Sequence, residues 1–234
     1  MTTTTAPAAD RAGRLPHLLR RLTGDEKHAP SAYSTLDVLW VLYDRVLRVS
    51  PDRPDDPDRD RFLLSKGHGP AAYYAVLAAT GFVDEDWLDD LAGPDSRLGH
   101  HPDRLLVPGV EIGSGSLGHG LGLAVGTALG LRAQGLFDPR VYVLLGDAEL
   151  DEGSNHEAIA YAGATGLGSL TAIVVDNDSA THGWPGGIAA RFTVDGWTAA
   201  PVDGRDHDAI AAALRAHRPG RPHVVVARVE RKGA

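Results

Sequence analysis

The apolar residues of this chain fall into two patterns that alternate along it. Continuous apolar runs of strand length stand at 62–65 (FLLS), 141–145 (VYVLL), 170–175 (LTAIVV) and 223–229 (HVVVARV). Runs without polar alternation predict strands covered on both faces, as in a parallel sheet. A further strand is expected near Trp197 to Val202. Between these lie helical spacings, at Leu36 to Leu47, at 70–81 ending on Gly81, at Leu117 to Arg132, at 155–166 and at Asp206 to Ala216. A short helix over 84–92 is expected to take Asp84 as its cap. Strands alternating with helices predict an α/β fold, a parallel sheet flanked by helices on both faces. No repeat or internal boundary interrupts the pattern. Residues 15–234 read as one domain, and residues 1–14, which lack the apolar stretch of a secretory signal, as a disordered leader.

Composition narrows the classes. The chain has 234 residues, 43% of them hydrophobic, enough for one large domain with a proper core. A formal charge of −8 argues against nucleic acid, so any phosphate site must be local. The absence of cysteine excludes disulfides, thiolate metal sites and cysteine nucleophiles, and fits a cytoplasmic setting. No apolar run approaches the roughly 20 residues that span a bilayer.

In parallel sheets, ligands sit at the carboxyl ends of strands. The run 141–145 leads into Gly146-Asp147-Ala148-Glu149, and the run 170–175 into Asp176-Asn177-Asp178. One βαβ unit separates Asp147 from Asn177, which places both at neighbouring strand ends. A carboxylate and an amide oxygen there suit a hard cation such as Mg²⁺, held by few protein groups together with ligand phosphates. The ordinary reading is a pair of turn formers. Upstream, Gly113-Ser-Gly115-Ser-Leu-Gly118 fits G-x-G-x-x-G at a helix start. That is either a dinucleotide-binding turn or another phosphate cradle, and in both readings backbone N–H groups receive phosphate. Histidines gather in the expected loops, among them His28, His68, His100, His101, His119 and His182. Imidazoles that converge can donate hydrogen bonds to hydroxyls and move protons near neutral pH. A His/Asp zinc site is the rival, but no helical His spacing supports it.

The segment 146–158 (GDAELDEGSNHEA), followed by 174–183 (VVDNDSATHG), resembles the thiamine diphosphate signature of transketolases. The segments SKGH (65–68), GHHPD (99–103) and GSGSLGHG (113–120) are similar to three further motifs of that family. The resemblance runs from about residue 15 onwards. It implies the thiamine diphosphate (ThDP) fold, with Asp147, Asn177 and the Ser179 carbonyl on Mg²⁺ or Ca²⁺. It implies a cofactor site made of Gly115, Ser116, Leu117, Gly118, Gly146, Asp147, Ala148, Glu149, Asn177, Thr181 and His182. His68 and His101 would face substrate and cofactor, with His28 and His119 beside them and Glu152 near a partner interface. The implied activity is transfer of a two-carbon ketol unit from a ketose to an aldehyde. The implied assembly is an α₂β₂ heterotetramer with a chain carrying the pyrimidine-binding domain, since no residue here matches that domain's activating glutamate.

Four positions depart from the family pattern. Ala148 replaces the usual glycine, which is costly if that position needs a positive φ. The setting of His28 is unusual, His182 stands where an acidic residue is common, and the segment 182–192 is short and carries Trp184. Three alternatives stay open at this point: the α-subunit of a ThDP-dependent 2-oxo acid dehydrogenase or decarboxylase, a Rossmann-type NAD oxidoreductase, and a non-catalytic stabilising subunit.

Overall fold

A computed structural model of the chain describes residues 8–22, 29–68 and 70–231; His28 lies outside them. Five strands, β1 (Arg61–Leu64), β2 (Val141–Gly146), β3 (Leu170–Asp176), β4 (Thr198–Asp203) and β5 (His223–Arg228), form one sheet in the order β1-β2-β3-β5-β4. Every pairing is parallel. Its helices are α1 (Ala8–Arg21), α2 (Ala29–Val41), α3 (Ala71–Ala79), α4 (His119–Ala133), α5 (Gly153–Ala164), α6 (Gly187–Thr193) and α7 (His207–Arg215).

Side chains along a strand point alternately to the two faces. Tyr142, Leu144, Ile173, Val175, Val225 and Ala227 therefore join α1, α2, α3 and α7 in one core. Val141, Val143, Leu145, Ala172, Val174, Val224 and Val226 join α4, α5 and α6 in a second. The parallel sheet buried on both faces is thus the predicted one. Right-handed crossovers explain the placement of α4 to α7: chain travel towards β4 lays α4, α5 and α6 on one face, and the return from β4 to β5 lays α7 on the other, where α1, α2 and α3 also pack.

Three local expectations change. Residues 8–14, expected within a disordered leader, belong to α1. Leu15 and Leu18 anchor that helix in the core, and Arg14 and Arg21 pair with Glu85, Asp86 and Asp89. The helix expected from Leu36 to Leu47 begins at Ala29 and ends in a π-helical turn, Leu42–Val46. Asp84 precedes a 3₁₀ turn, Glu85–Asp90, and its side chain makes no capping bond; only its carbonyl accepts, from Trp87. By contrast Asp206 caps α7 through its side chain, which accepts from the N–H groups of Asp208 and Ala209.

Candidate cofactor and active site

Three loops leave the carboxyl ends of β1, β2 and β3 side by side. The register that pairs Gly146 with Val175 brings Asp147 beside the loop after β3, and its N–H donates to the Val175 carbonyl (3.1 Å). Asp147 is 2% exposed and Asn177 5%. The Asp147 carboxylate accepts from the Ser179 N–H (2.6 Å), the Ser179 hydroxyl (2.5 Å) and the Ala180 N–H (3.1 Å). A carboxylate has about four lone-pair sites, so this pattern leaves room for a further ligand. The Asn177 Oδ1 is buried and meets no hydrogen-bond donor. A buried oxygen left without a partner is costly unless something else meets it, and a hard cation is what a carboxylate and an amide oxygen together suit. The residues present fit the implied cation on this ground.

Asp151 holds the far end of the same loop. Its Oδ2 accepts from the N–H groups of Thr181 (2.9 Å) and His182 (3.3 Å), and its Oδ1 is buried without a donor. Beyond it, Trp184 lies against the His156 ring (centroids 4.8 Å), with the Arg191 guanidinium 5.6 Å from the indole centroid. The short segment 182–192 is therefore partly helical, its last residues belonging to α6, and is fastened to α5. Ala148 opens the 3₁₀ turn Ala148–Asp151, and the positive-φ residues other than glycine among those described are Ala92 and Asp178. Alanine in place of glycine thus carries no backbone strain here.

The glycine loop 113–118 leads into α4, but α3, the 3₁₀ turn Glu85–Asp90 and a long loop separate it from β1, the strand before it. A dinucleotide-binding turn requires a strand directly before it, so the Rossmann reading fails on topology. Gly118 has φ +81, and its carbonyl accepts from the Ser154 hydroxyl (2.8 Å). Ser116 and Leu117 are exposed at the loop tip, and the Ser116 hydroxyl lies 3.5 Å from His119 Nε2. Gly115, at φ +133, passes so close to His101 that a Cβ would fall 2.8 Å from its ring.

His68 follows β1 and meets His101 edge to face, with ring centroids 5.0 Å apart. His101 Nδ1 lies 3.0 Å from the Gly67 carbonyl. A carbonyl only accepts, so Nδ1 carries the proton, and in the neutral ring Nε2 is the acceptor. His68, His101 and His119 therefore share one end of the sheet with Asp147 and Asn177, while His182 is exposed on the neighbouring loop.

Glu149 is 2% exposed. Its Oε1 accepts from the Ser65 hydroxyl and the Gly118 N–H (3.0 Å), and its Oε2 from the Gly146 N–H (3.4 Å). Burial holds its carboxyl above the ordinary value, and the bonds from Ser65, Gly118 and Gly146 only partly oppose this. Glu152, by contrast, is exposed. Sequence reasoning did not single out Ser65, Asp151 or Asn155. All three lie in or beside motifs it quoted, but the partners of Ser65 and Asp151 stand far away in the chain, and that of Asn155 is a backbone carbonyl six residues before it.

Comparison with known proteins bears on the chain as a whole. A family profile described as "Transketolase, thiamine diphosphate binding domain" matches residues 23–230. A protein of Rhodococcoides fascians named ferredoxin fas2 is 58% identical over 94% of this chain and 72% of its own length. The present chain, without cysteine, offers no thiolate for an iron–sulfur cluster. An apulose-4-phosphate transketolase subunit of Actinobacillus succinogenes is 38% identical over 88% of this chain and 77% of that protein. The solved transketolase of Leishmania mexicana superposes with a TM-score of 0.78 at 26% identity, over 96% of this chain and 37% of that one. The chain thus spans little more than a third of the solved transketolase that it matches.

Proposed function

The chain belongs to the transketolase family, as its thiamine diphosphate binding domain, and from that premise we propose that it is the diphosphate-binding subunit of a two-chain transketolase. Its reaction is transfer of a two-carbon ketol unit from a ketose donor to an aldehyde acceptor. The partner is a chain carrying the pyrimidine-binding domain, in an α₂β₂ assembly. What supports a partner is the kind of relative found: this chain aligns with most of the apulose-4-phosphate transketolase subunit but with 37% of a solved transketolase chain. A cytoplasmic setting belongs to the same proposal, and no helix among the described residues is long and apolar enough to cross a membrane.

The observation that carries the reading is the buried, unmet Asn177 Oδ1 beside the buried Asp147 carboxylate. Asp147, Asn177 and the Ser179 carbonyl would hold Mg²⁺ or Ca²⁺ against the cofactor diphosphate, and the exposed tip at Ser116 and Leu117 would meet that diphosphate. When bound, the cofactor supplies the carbanion chemistry that the side chains lack. The protein's own part is placement. His101 Nε2, set as an acceptor by the Gly67 carbonyl, takes a hydroxyl proton of the sugar, and His68, edge-on to it, binds a neighbouring oxygen. His119 and the loop at Thr181 and His182 bound the same space. His28 keeps its proposed role at the substrate on sequence grounds alone.

The test is a calorimetric titration of ThDP, with Mg²⁺, into this chain purified together with its pyrimidine-domain partner. Saturable binding that requires Mg²⁺ and weakens by about 100-fold or more in Asp147→Ala is expected, as removal of a ligand costs at least what loss of a supporting group does. Near-wild-type affinity in Asp147→Ala would overturn the assignment.

A further inference from the structure

We propose that Glu149 is a positioning residue, whose buried carboxylate holds the glycine loop and the loop after β1 in register with the metal loop and does not itself touch the cofactor. The consequence for the cofactor rests on the ThDP reading above; the positioning does not.

Three segments distant in sequence end on this one carboxylate. Ser65 comes from the loop after β1, Gly118 from the glycine loop, and Gly146 from the end of β2. All of them donate. The Ser65 oxygen itself accepts from the Gly120 N–H (3.0 Å), so its single proton is directed at Glu149. The order Gly120 N–H to Ser65 hydroxyl to Glu149 has one polarity throughout, and only a group that accepts without donating completes it. The residue is pinned from behind as well, since Asn155, fully buried, donates from Nδ2 to the Glu149 carbonyl (2.6 Å). With 2% exposure and its oxygens engaged, the side chain is not placed to swing out to a ligand. Gly118, for its part, turns its N–H inward to the carboxylate.

The close approach this requires is built into neighbouring glycines. A Cβ on Gly120 would lie 2.2 Å from the Ser65 Cβ, and one on Gly67 would lie 2.6 Å from the Gly115 nitrogen. The start of α4 and the loop after β1 thus meet backbone to backbone, and Glu149 ties them from below. Its replacement frees the loop tip while leaving the sheet intact.

Hydrogen exchange on the full chain, followed by mass spectrometry, tests this with Glu149→Gln, Ser65→Ala and the double variant. Glutamine keeps the volume but turns an NH₂ towards converging donors. The expected result is exchange about tenfold faster in segments 65–68 and 113–122 of Glu149→Gln, from loss of bonds to a charged group. Strands 170–176 and 223–228 are expected to be unchanged, and the double variant less than additive, because the two residues share the Ser65 to Glu149 bond. In the complex with the partner, ThDP affinity is expected to fall by about tenfold at an unchanged Mg²⁺ requirement. Unchanged exchange in both loops, a uniform rise over the sheet, or additive effects would overturn the positioning role. So would an Mg²⁺ requirement that shifts while the loops stay protected, which would make Glu149 a cation ligand. A wild-type complex that binds no ThDP, with the exchange pattern as expected, would sustain the positioning and sink the cofactor reading instead.

Discussion

At the scale of single residues, the site is governed by what cannot be made larger. Gly120 lies at the start of α4 with Ser65 pressed against it, and a methyl there would overlap the Ser65 Cβ at 2.2 Å and its Cα at 2.8 Å. Gly120→Ala must separate α4 from the loop after β1 and break the Gly120 to Ser65 bond. A loss of about 1–3 kcal/mol is expected from overpacking, read as a lower urea midpoint with an unchanged slope; a midpoint within error of wild type would refute it. The residues proposed to meet ligands were legible because chemistry fixes their type. A carboxylate after one strand and an amide after the next suits a cation as well as a pair of turns, and Asp147 and Asn177 do stand together. Glu149 was legible only as a member of a motif. Its work depends on Ser65, 84 residues away, and on Gly118, 31 away, and no local pattern reports such a pairing.

At the scale of elements, the same helix carries glycines of the opposite kind. Gly122, Gly126 and Gly130 of α4 have open space where a Cβ would stand, and Gly126 is exposed. Nothing in the described chain requires glycine at this point, and its backbone freedom in the unfolded state is a cost. Gly126→Ala in the isolated chain is therefore expected to stabilise by about 1 kcal/mol, seen as a higher melting temperature; a lower one would show that this face is already in close contact in solution. Strands were legible because burial on both faces leaves nothing but apolar residues: the runs at 141–145 and 170–175 became β2 and β3 almost residue for residue. The sequence reading failed where composition and spacing disagreed. The Thr-, Ala- and Pro-rich start masked α1, although Leu15, Leu18, Leu19 and Leu22 keep helical spacing, and Leu15 and Leu18 are buried. Pro16 inside that helix removes a backbone donor, so packing against α3 and the arginine pairs, not propensity, holds it. Asp84 misled in the opposite direction, being a good cap residue placed before a 3₁₀ turn that it does not cap.

At the scale of the molecule, the two ends of the sheet differ, and pH separates them. The carboxyl end carries the proposed site. At the amino end, His217 lies against the Tyr142 ring (centroids 6.4 Å), and His223 opens β5 with its Nδ1 2.7 Å from the Thr198 hydroxyl. His217 Nδ1 and His223 Nε2 are buried without partners. Burial, with Arg140 and His223 adding to it, lowers the His217 pKa from 6.5 to about 4, and burial lowers that of His223 as well. Both rings are therefore neutral in the fold at pH values where the unfolded chain has already protonated them. Below pH 6.5 the unfolded state binds more protons, so stability falls as pH drops from about 6.5 towards about 4, and His217 contributes no further slope below that. His217→Gln, which cannot titrate, is expected to lose less of its denaturation midpoint between pH 7 and pH 4 than the wild type does. Equal losses in the two proteins would mean that the acid sensitivity arises elsewhere, at the carboxylates of the site end. The expected outcome instead locates it at the end of the sheet opposite the proposed site, at His217, whose ring lies against Tyr142.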